Sequence, residues 1–186
     1  MPSFDLSIAT SFPRPSLHTA PVSGRAALDR MLTAIDSVVR SGGPATDKRV
    51  AAVLAGYATI PDLLDGVDCT PSRSRYTRAL LEDGRSHCVL ALVWGPGQVS
   101  PVHGHRTWCA LAVQRGVLIE TNFRHGDGGL HLTGSRSLHA GDVSHEPART
   151  GVHRIASLGA SVAISLHVYG TSYDRLGVAV NDVRAA

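Results

Sequence analysis

Apolar residues along this chain change their period near residue 71, and the two periods predict two kinds of element. From Arg25, Ala27, Leu28, Met31, Leu32, Ile35, Val38 and Val39 recur at three- and four-residue steps, the stripe of an amphipathic helix. Ser41-Gly42-Gly43-Pro44 stops that helix. Val50, Val53, Leu54 and Tyr57 predict a second helix, and Ile60 to Leu64 a short third segment that starts at Pro61 and is turned by Asp65-Gly66. Ahead of them, Met1 to Gly24 carries Pro2, Pro13, Pro15, Pro21 and several hydroxyl residues, which predicts a wrapped or mobile arm.

After Pro71 short segments alternate with Gly, Pro and Asp. They predict nine strands: Arg73 to Glu82, His87 to Trp94, Val99 to His105, Trp108 to Arg115, Leu118 to Arg124, Leu130 to Leu138, Asp142 to Glu146, His153 to Ala156 and Ser161 to Tyr169. Nine short strands imply a closed antiparallel β-structure. The helices are most economically a cap packed on the sheet, with a dimer contact as the alternative. The expected organisation is one domain over 1–186, with arm and helices in 1–70 and the β-structure in 71–186.

Composition narrows the function classes. The 186 residues are 43% apolar and 18% charged, enough for a sizeable core and against large-scale disorder. A net charge of +3 comes from arginines spread along the chain, without the clustered basic stripe of a nucleic-acid or membrane surface. No apolar run approaches the roughly eighteen residues of a spanning helix, and the first 21 residues lack a charged segment followed by an apolar one. Cys69, Cys88 and Cys109 are odd in number and widely spaced, which argues against a disulfide framework or thiolate zinc site and for a reducing, cytoplasmic setting. Neither a nucleic-acid nor a membrane partner is expected, and the oligomeric state is open between monomer and homodimer.

The candidate chemistry lies in Pro101-Val102-His103-Gly104-His105-Arg106-Thr107-Trp108-Cys109, which runs on to Gly116. Two histidines one residue apart on an extended segment face the same side, so His103 and His105 can share one metal. Trp94-Gly95-Pro96-Gly97-Gln98 is a tight turn just upstream. His153 begins a strand after a turn pinned by Pro147 and Gly151. His87, His125, His131, His139 and His145 read as solvated residues at spacings that do not face the pair.

With these motifs in place the chain resembles a cupin, whose first motif is His-x-His, three or four residues, an acid, six residues and Gly. Here Cys109 stands where the acid would be, leaving three neutral imidazoles, His103, His105 and His153, as the implied metal set. The resemblance extends to the cysteine dioxygenase family of thiol dioxygenases. Tyr76-Thr77-Arg78, Trp94-Gly95-Pro96-Gly97, Pro101 to His105, Gly141-Asp142-Val143, Gly151-Val152-His153-Arg154 and Ser165-Leu166-His167-Val168-Tyr169-Gly170 stand in that family's order. It implies a cupin-type antiparallel β-barrel (jelly-roll), mainly β, with the N-terminal helices packed against it. It also implies Fe(II), O2 and a small thiol carboxylate as substrate, with Ser165, His167 and Tyr169 as a hydrogen-bonded catalytic relay. Strand alternation independently puts those three on one face.

The same resemblance implies that Arg78, with Tyr76, binds the substrate carboxylate, since arginine in Tyr-Thr-Arg is similar to the enzymes that use L-cysteine. Bacterial relatives acting on 3-mercaptopropionate carry glutamine there and an arginine beyond the last Tyr-Gly, and Arg175 blurs that distinction. Alignment on Gly116 places Cys109 where some members carry the cysteine of a thioether cross-link, here to Tyr169. Ser157 stands where asparagine is expected after the third ligand. Ligand type alone also admits zinc. A metal-binding cupin without catalysis and a three-histidine dioxygenase that cleaves carbon-carbon bonds remain the rival readings.

Overall fold

The helical stripe becomes two helices, α1 (Gly24–Ser41) and α2 (Thr46–Tyr57), in a computed structural model that describes residues 24–149, 151–176 and 181–183. The predicted arm lies outside the described residues except for Gly24, the first residue of α1. α1 buries Ala27, Leu28, Met31 and Ile35, and α2 buries Val50, Ala51 and Leu54. The third helical segment does not form. Its bonds run from Leu63 to Ile60, Asp65 to Asp62 and Val67 to Leu64, a succession of three-residue turns around Pro61 that still buries Leu63.

Ten strands follow among the described residues: β1 (Thr77–Asp83), β2 (Cys88–Trp94), β3 (His103–His105), β4 (Cys109–Arg115), β5 (Val117–Gly126), β6 (Gly129–His139), β7 (Val143–Glu146), β8 (Val152–Ala156), β9 (Ala163–Tyr169) and β10 (Asn181–Val183). They form two five-stranded antiparallel sheets, β1-β2-β9-β4-β7 and β10-β3-β8-β5-β6. Inward residues of both sheets, among them Leu90, Leu92, Leu111, Val113, Leu118, Leu138 and Ile155, make one buried cluster. Val89, Ala91, Val93, Ala110, Ala112, Leu166 and Val168 face the other way and pack against α1 and α2. This is the expected barrel with helices packed on one sheet. β2 and β9 are buried at every position because they lie between two apolar layers, which is why their sequences run without polar alternation on the helix side.

The differences from expectation have local causes. The predicted strand Val99 to His105 shrinks to three residues, with Val99 making one bridge to Ala156. Between them Ser100 turns its hydroxyl to the Ile155 amide, and Pro101 has no amide to offer a ladder. The first strand starts at Thr77, four residues later than expected, after a bent stretch. β10 pairs with β3 in the register Asn181↔His105 to Val183↔His103, a strand whose three residues carry no readable period. Gly116 joins β4 to β5 at φ 79°, where a Cβ would sit 2.8 Å from the Ala163 backbone, so the position demands glycine.

Leu54 is fully buried where α2 packs on β4 and β7. Leu54→Ala should lower the unfolding free energy by about 2–5 kcal/mol through the cavity it leaves, read from urea denaturation followed by circular dichroism. A loss under about 1 kcal/mol would mean that the helical layer is not packed on the sheet as described.

Candidate metal centre

Register assembles the three histidines. His103 and His105 share the inward face of β3, and the antiparallel pairing of β3 with β8 sets His103 opposite His153. The ring centroids of His103 lie 4.8 Å from those of His105 and of His153, and the His105 and His153 rings are 5.3 Å apart. One nitrogen of each imidazole lies within 4.8 Å of the others, and Nε2 of His105 is 3.2 Å from Nε2 of His153. Gly104 permits this approach: a Cβ there would stand 2.8 Å from the Gly151 carbonyl oxygen.

The outer nitrogens settle the tautomers. His103 Nδ1 lies 2.9 Å from the Pro101 carbonyl, which can only accept, so Nδ1 carries the proton and Nε2 keeps its lone pair. His153 Nδ1 donates to Glu120 Oε1 at 3.0 Å, again leaving Nε2 bare. His105 and His153 are buried and His103 is half-buried; burial and the neighbouring His153 push the His103 pKa down to about 4, so it is neutral at pH 7. Three imidazoles aimed at one point, one of them oriented by a carboxylate, are a donor set that fits a divalent metal.

Glu120 is the hub behind them. It is 1% exposed on β5, and Arg136 donates to it through Nε at 2.9 Å and Nη2 at 2.7 Å. The Ser144 hydroxyl contacts its two oxygens at 2.8 and 2.9 Å. Burial alone would raise the carboxyl pKa, but the hydrogen bonds from His153, Arg136 and Ser144 outweigh it and hold the pKa at about 2.

The opposite wall is β9. Ser165, His167 and Tyr169 alternate inward, with Ser165 Oγ 2.8 Å from His167 Nε2 and His167 Nδ1 3.3 Å from the Tyr169 hydroxyl. The Trp94 indole donates to Ser165 Oγ at 2.9 Å. Burial pushes the His167 pKa down to about 3 and that of Tyr169 well up, so both are neutral. Tyr169 reaches the three histidines, its ring centroid 5.4 Å from that of His105. Cys109 opposes Tyr169 across the β4–β9 ladder and touches its side chain; burial raises the thiol pKa well above its ordinary value.

Arg78 and Tyr76 line the same narrow pocket as the three histidines, Trp94, His167 and Tyr169. Tyr76 stacks on Trp94 with centroids 4.3 Å apart, and the Arg78 guanidinium lies over the Tyr76 ring and donates to its hydroxyl at 3.2 Å. Among the described residues Arg78 has no carboxylate partner. Arg175 sits on an exposed turn, Tyr173–Arg175, and does not line this pocket.

One histidine read as solvated is not: His87 is 1% exposed and bonds Glu82 at 2.9 Å in the β1–β2 hairpin, where Gly84 leaves room for the ring. His125, His131, His139 and His145 are exposed as expected, and His145 Nδ1 meets buried Asp47 of α2 at 2.9 Å. Glu120, Arg136, Ser144 and Trp94 were missed as members of the site. Alternation from Leu118 would have turned Glu120 inward, a signal that was present. Ser157 is buried, and its hydroxyl has no hydrogen-bond partner among the described residues. No described helix is long and apolar enough to cross a membrane.

The family described as cysteine dioxygenase type I matches residues 44–178, well over half of the chain. Among solved structures, an uncharacterized conserved protein with a double-stranded β-helix domain from Klebsiella pneumoniae is 22% identical over 56% of this chain and 84% of its own, with a TM-score of 0.44. An oxalate oxidase is 22% identical over 46% of this chain and 42% of its own, TM-score 0.40. Oxalate decarboxylase from Bacillus subtilis is 18% identical over 55% of this chain and 28% of its own, TM-score 0.45. The chain thus spans less than half the length of those two oxalate enzymes.

Glu120→Gln should weaken metal binding by roughly 10–100-fold, because the amide holds the His153 N–H less strongly than a carboxylate does. Calorimetric titration with Co(II) as probe reads this directly. Unchanged affinity in a folded variant would show that the Glu120 contact does not support the site.

Proposed function

Since the chain belongs to the cysteine dioxygenase type I family, we propose that it is a non-haem Fe(II) thiol dioxygenase, acting in the cytoplasm on a small thiol carboxylate, L-cysteine giving cysteine sulfinate. The observation that carries this reading is the convergence of His103, His105 and His153, the Ser165-His167-Tyr169 chain and Arg78, which has no carboxylate partner among the described residues, on one pocket. The overall reaction, RSH + O2 → RSO2H, balances without any further reductant. Held by His103, His105 and His153, Fe(II) would supply open positions for thiolate and dioxygen and lower the thiol pKa.

The protein's own residues position the substrate. Arg78 offers a planar fork to the carboxylate, a charge-assisted contact of about 1.5–3 kcal/mol. Tyr76, stacked between Trp94 and the guanidinium, holds that fork at the pocket. Tyr169, held by His167 and Ser165, orients the reacting groups through its hydroxyl. The buried histidines and the apolar Leu92 and Ile155 limit water at the pocket.

Anaerobic iron loading followed by oxygen uptake and sulfinate detection, with L-cysteine and 3-mercaptopropionate side by side, tests the proposal. Stoichiometric sulfinate supports it; iron-loaded protein that consumes no oxygen with either thiol sinks it. Alanine at His103, His105 or His153 should each abolish most iron binding and turnover. Arg78→Gln should cut kcat/KM for L-cysteine by roughly ten- to a hundredfold, yet leave cysteamine, which lacks a carboxylate, little changed. Equal losses on both would remove Arg78 from the carboxylate.

We also propose that Cys109 and Tyr169 become joined by a thioether between Sγ and the ring carbon beside the hydroxyl. Their opposition across the ladder and their side-chain contact support this. The new C–S bond replaces one S–H and one ring C–H, and the two protons and two electrons pass to dioxygen. Tryptic mass spectra after many turnovers should contain the two peptides linked and lighter by two hydrogens. Two unmodified peptides from active enzyme would refute the link.

A further inference from the structure

We infer that Trp94 is a positioning residue which sets the direction of every proton in the Trp94, Ser165, His167, Tyr169 chain, so that Tyr169 presents its hydroxyl to the pocket as a donor. The inference deepens the reading of this pocket as the reacting site, and rests on it. An indole nitrogen can only donate, so at 2.9 Å Ser165 Oγ is the acceptor. A hydroxyl has a single hydrogen, and the acceptor available to it is His167 Nε2 at 2.8 Å. His167 Nε2 therefore carries the lone pair, and the ring's one proton is on Nδ1. That N–H points at the Tyr169 oxygen, 3.3 Å away. Tyr169 then accepts from His167, and its own hydrogen turns elsewhere, towards the pocket and Cys109.

The reverse direction fails on one atom. Were Tyr169 to donate to His167, the His167 Nε2–H would point at Ser165 Oγ, which already accepts from Trp94. The Ser165 hydrogen would then have no acceptor among the described residues, in a side chain with 0% exposure. Trp94 is itself 1% exposed and clamped by the Tyr76 ring stacked on it, so its N–H is not free to turn away.

This direction determines what the chain can do. Its far end is an indole N–H, which does not titrate, so no proton enters from behind Ser165. The chain thus stabilises negative charge in front of Tyr169, on a carboxylate or on an oxygen gaining charge. Any proton Tyr169 gives up returns through the same hydroxyl. The device is a terminated donor, not a conduit to solvent.

The test is a long-range proton–nitrogen NMR correlation on the full chain, labelled with ¹⁵N at histidine and loaded with diamagnetic zinc. His167 is assigned by the signals missing from His167→Asn. The expected wild-type result is protonation at Nδ1; protonation at Nε2 overturns the inference without recourse to any Trp94 variant. In Trp94→Phe, which keeps the aromatic stack and removes the donor, the tautomer should become mixed or pass to Nε2–H. A folded Trp94→Phe with the wild-type pattern would also overturn the role of Trp94. The readout is independent of turnover: protein with the expected tautomer but no thiol oxidation would refute the proposed function alone.

Discussion

The antiparallel register between β3 and β8 is the constraint on which the candidate site depends. With His103 opposite His153, the inward pleat of β3 delivers His103 and His105, and that of β8 delivers the third imidazole. A slip of one residue would turn every one of these side chains to the opposite face. The register is pinned on several sides. Gly104 lies against the Gly151 carbonyl where no Cβ could fit, Ser100 ties both its amide and its hydroxyl to Ile155, and β5 continues the ladder beyond β8. These constraints are backbone contacts apart from the Ser100 hydroxyl, and all of them lie within the protein, so the three nitrogens converge without a metal to draw them together.

Glu120 shows what such a site costs the interior. An ionised carboxylate at 1% exposure is unfavourable unless its lone pairs are filled, and here Arg136, Ser144 and His153 fill them. The arginine reaches in from a side chain half open to solvent, so the charge pair is only partly desolvated. Removing one donor leaves a buried charge short of a partner, a larger penalty than the net worth of the pair. The same network that steadies His153 therefore commits β5, β6, β7 and β8 to one arrangement.

Much of this was legible in the sequence. The period of the α1 stripe, the two histidines flanking Gly104 and the alternation of Ser165, His167 and Tyr169 are local patterns, and each lies on the element and face expected of it. What escaped depends on contacts between distant strands. His87 reads as a loop histidine until the hairpin brings Glu82 to it, and nothing local to His145, exposed as its sequence setting suggests, announces that α2 brings Asp47 to its Nδ1. Nothing in the neighbourhood of Glu120 along the chain announces Arg136 or Ser144, sixteen and twenty-four positions away. Trp94 stands where a predicted strand meets a glycine-proline turn, and its partner Ser165 is seventy-one residues on. Ser100 and Pro101 ended a strand that apolar composition had extended.

The short strand β7 explains why the helical layer matters to a pocket on the far side of the sheet. Its residues alternate: Val143 and His145 face the helices, where His145 meets Asp47, while Ser144 faces inward to Glu120. α2 thus fixes the position of β7 from outside through a hydrogen bond to buried Asp47 and through packing on Val143. β7 in turn places a hydroxyl on the carboxylate that orients His153. Four residues with period two are enough to connect an outer apolar layer to an inner polar one, because a strand presents both faces without any additional loop. The connection is one of geometry: displacing α2 would move Ser144 relative to Glu120, and the imidazole behind it would lose the orientation that keeps its Nε2 aimed at His105.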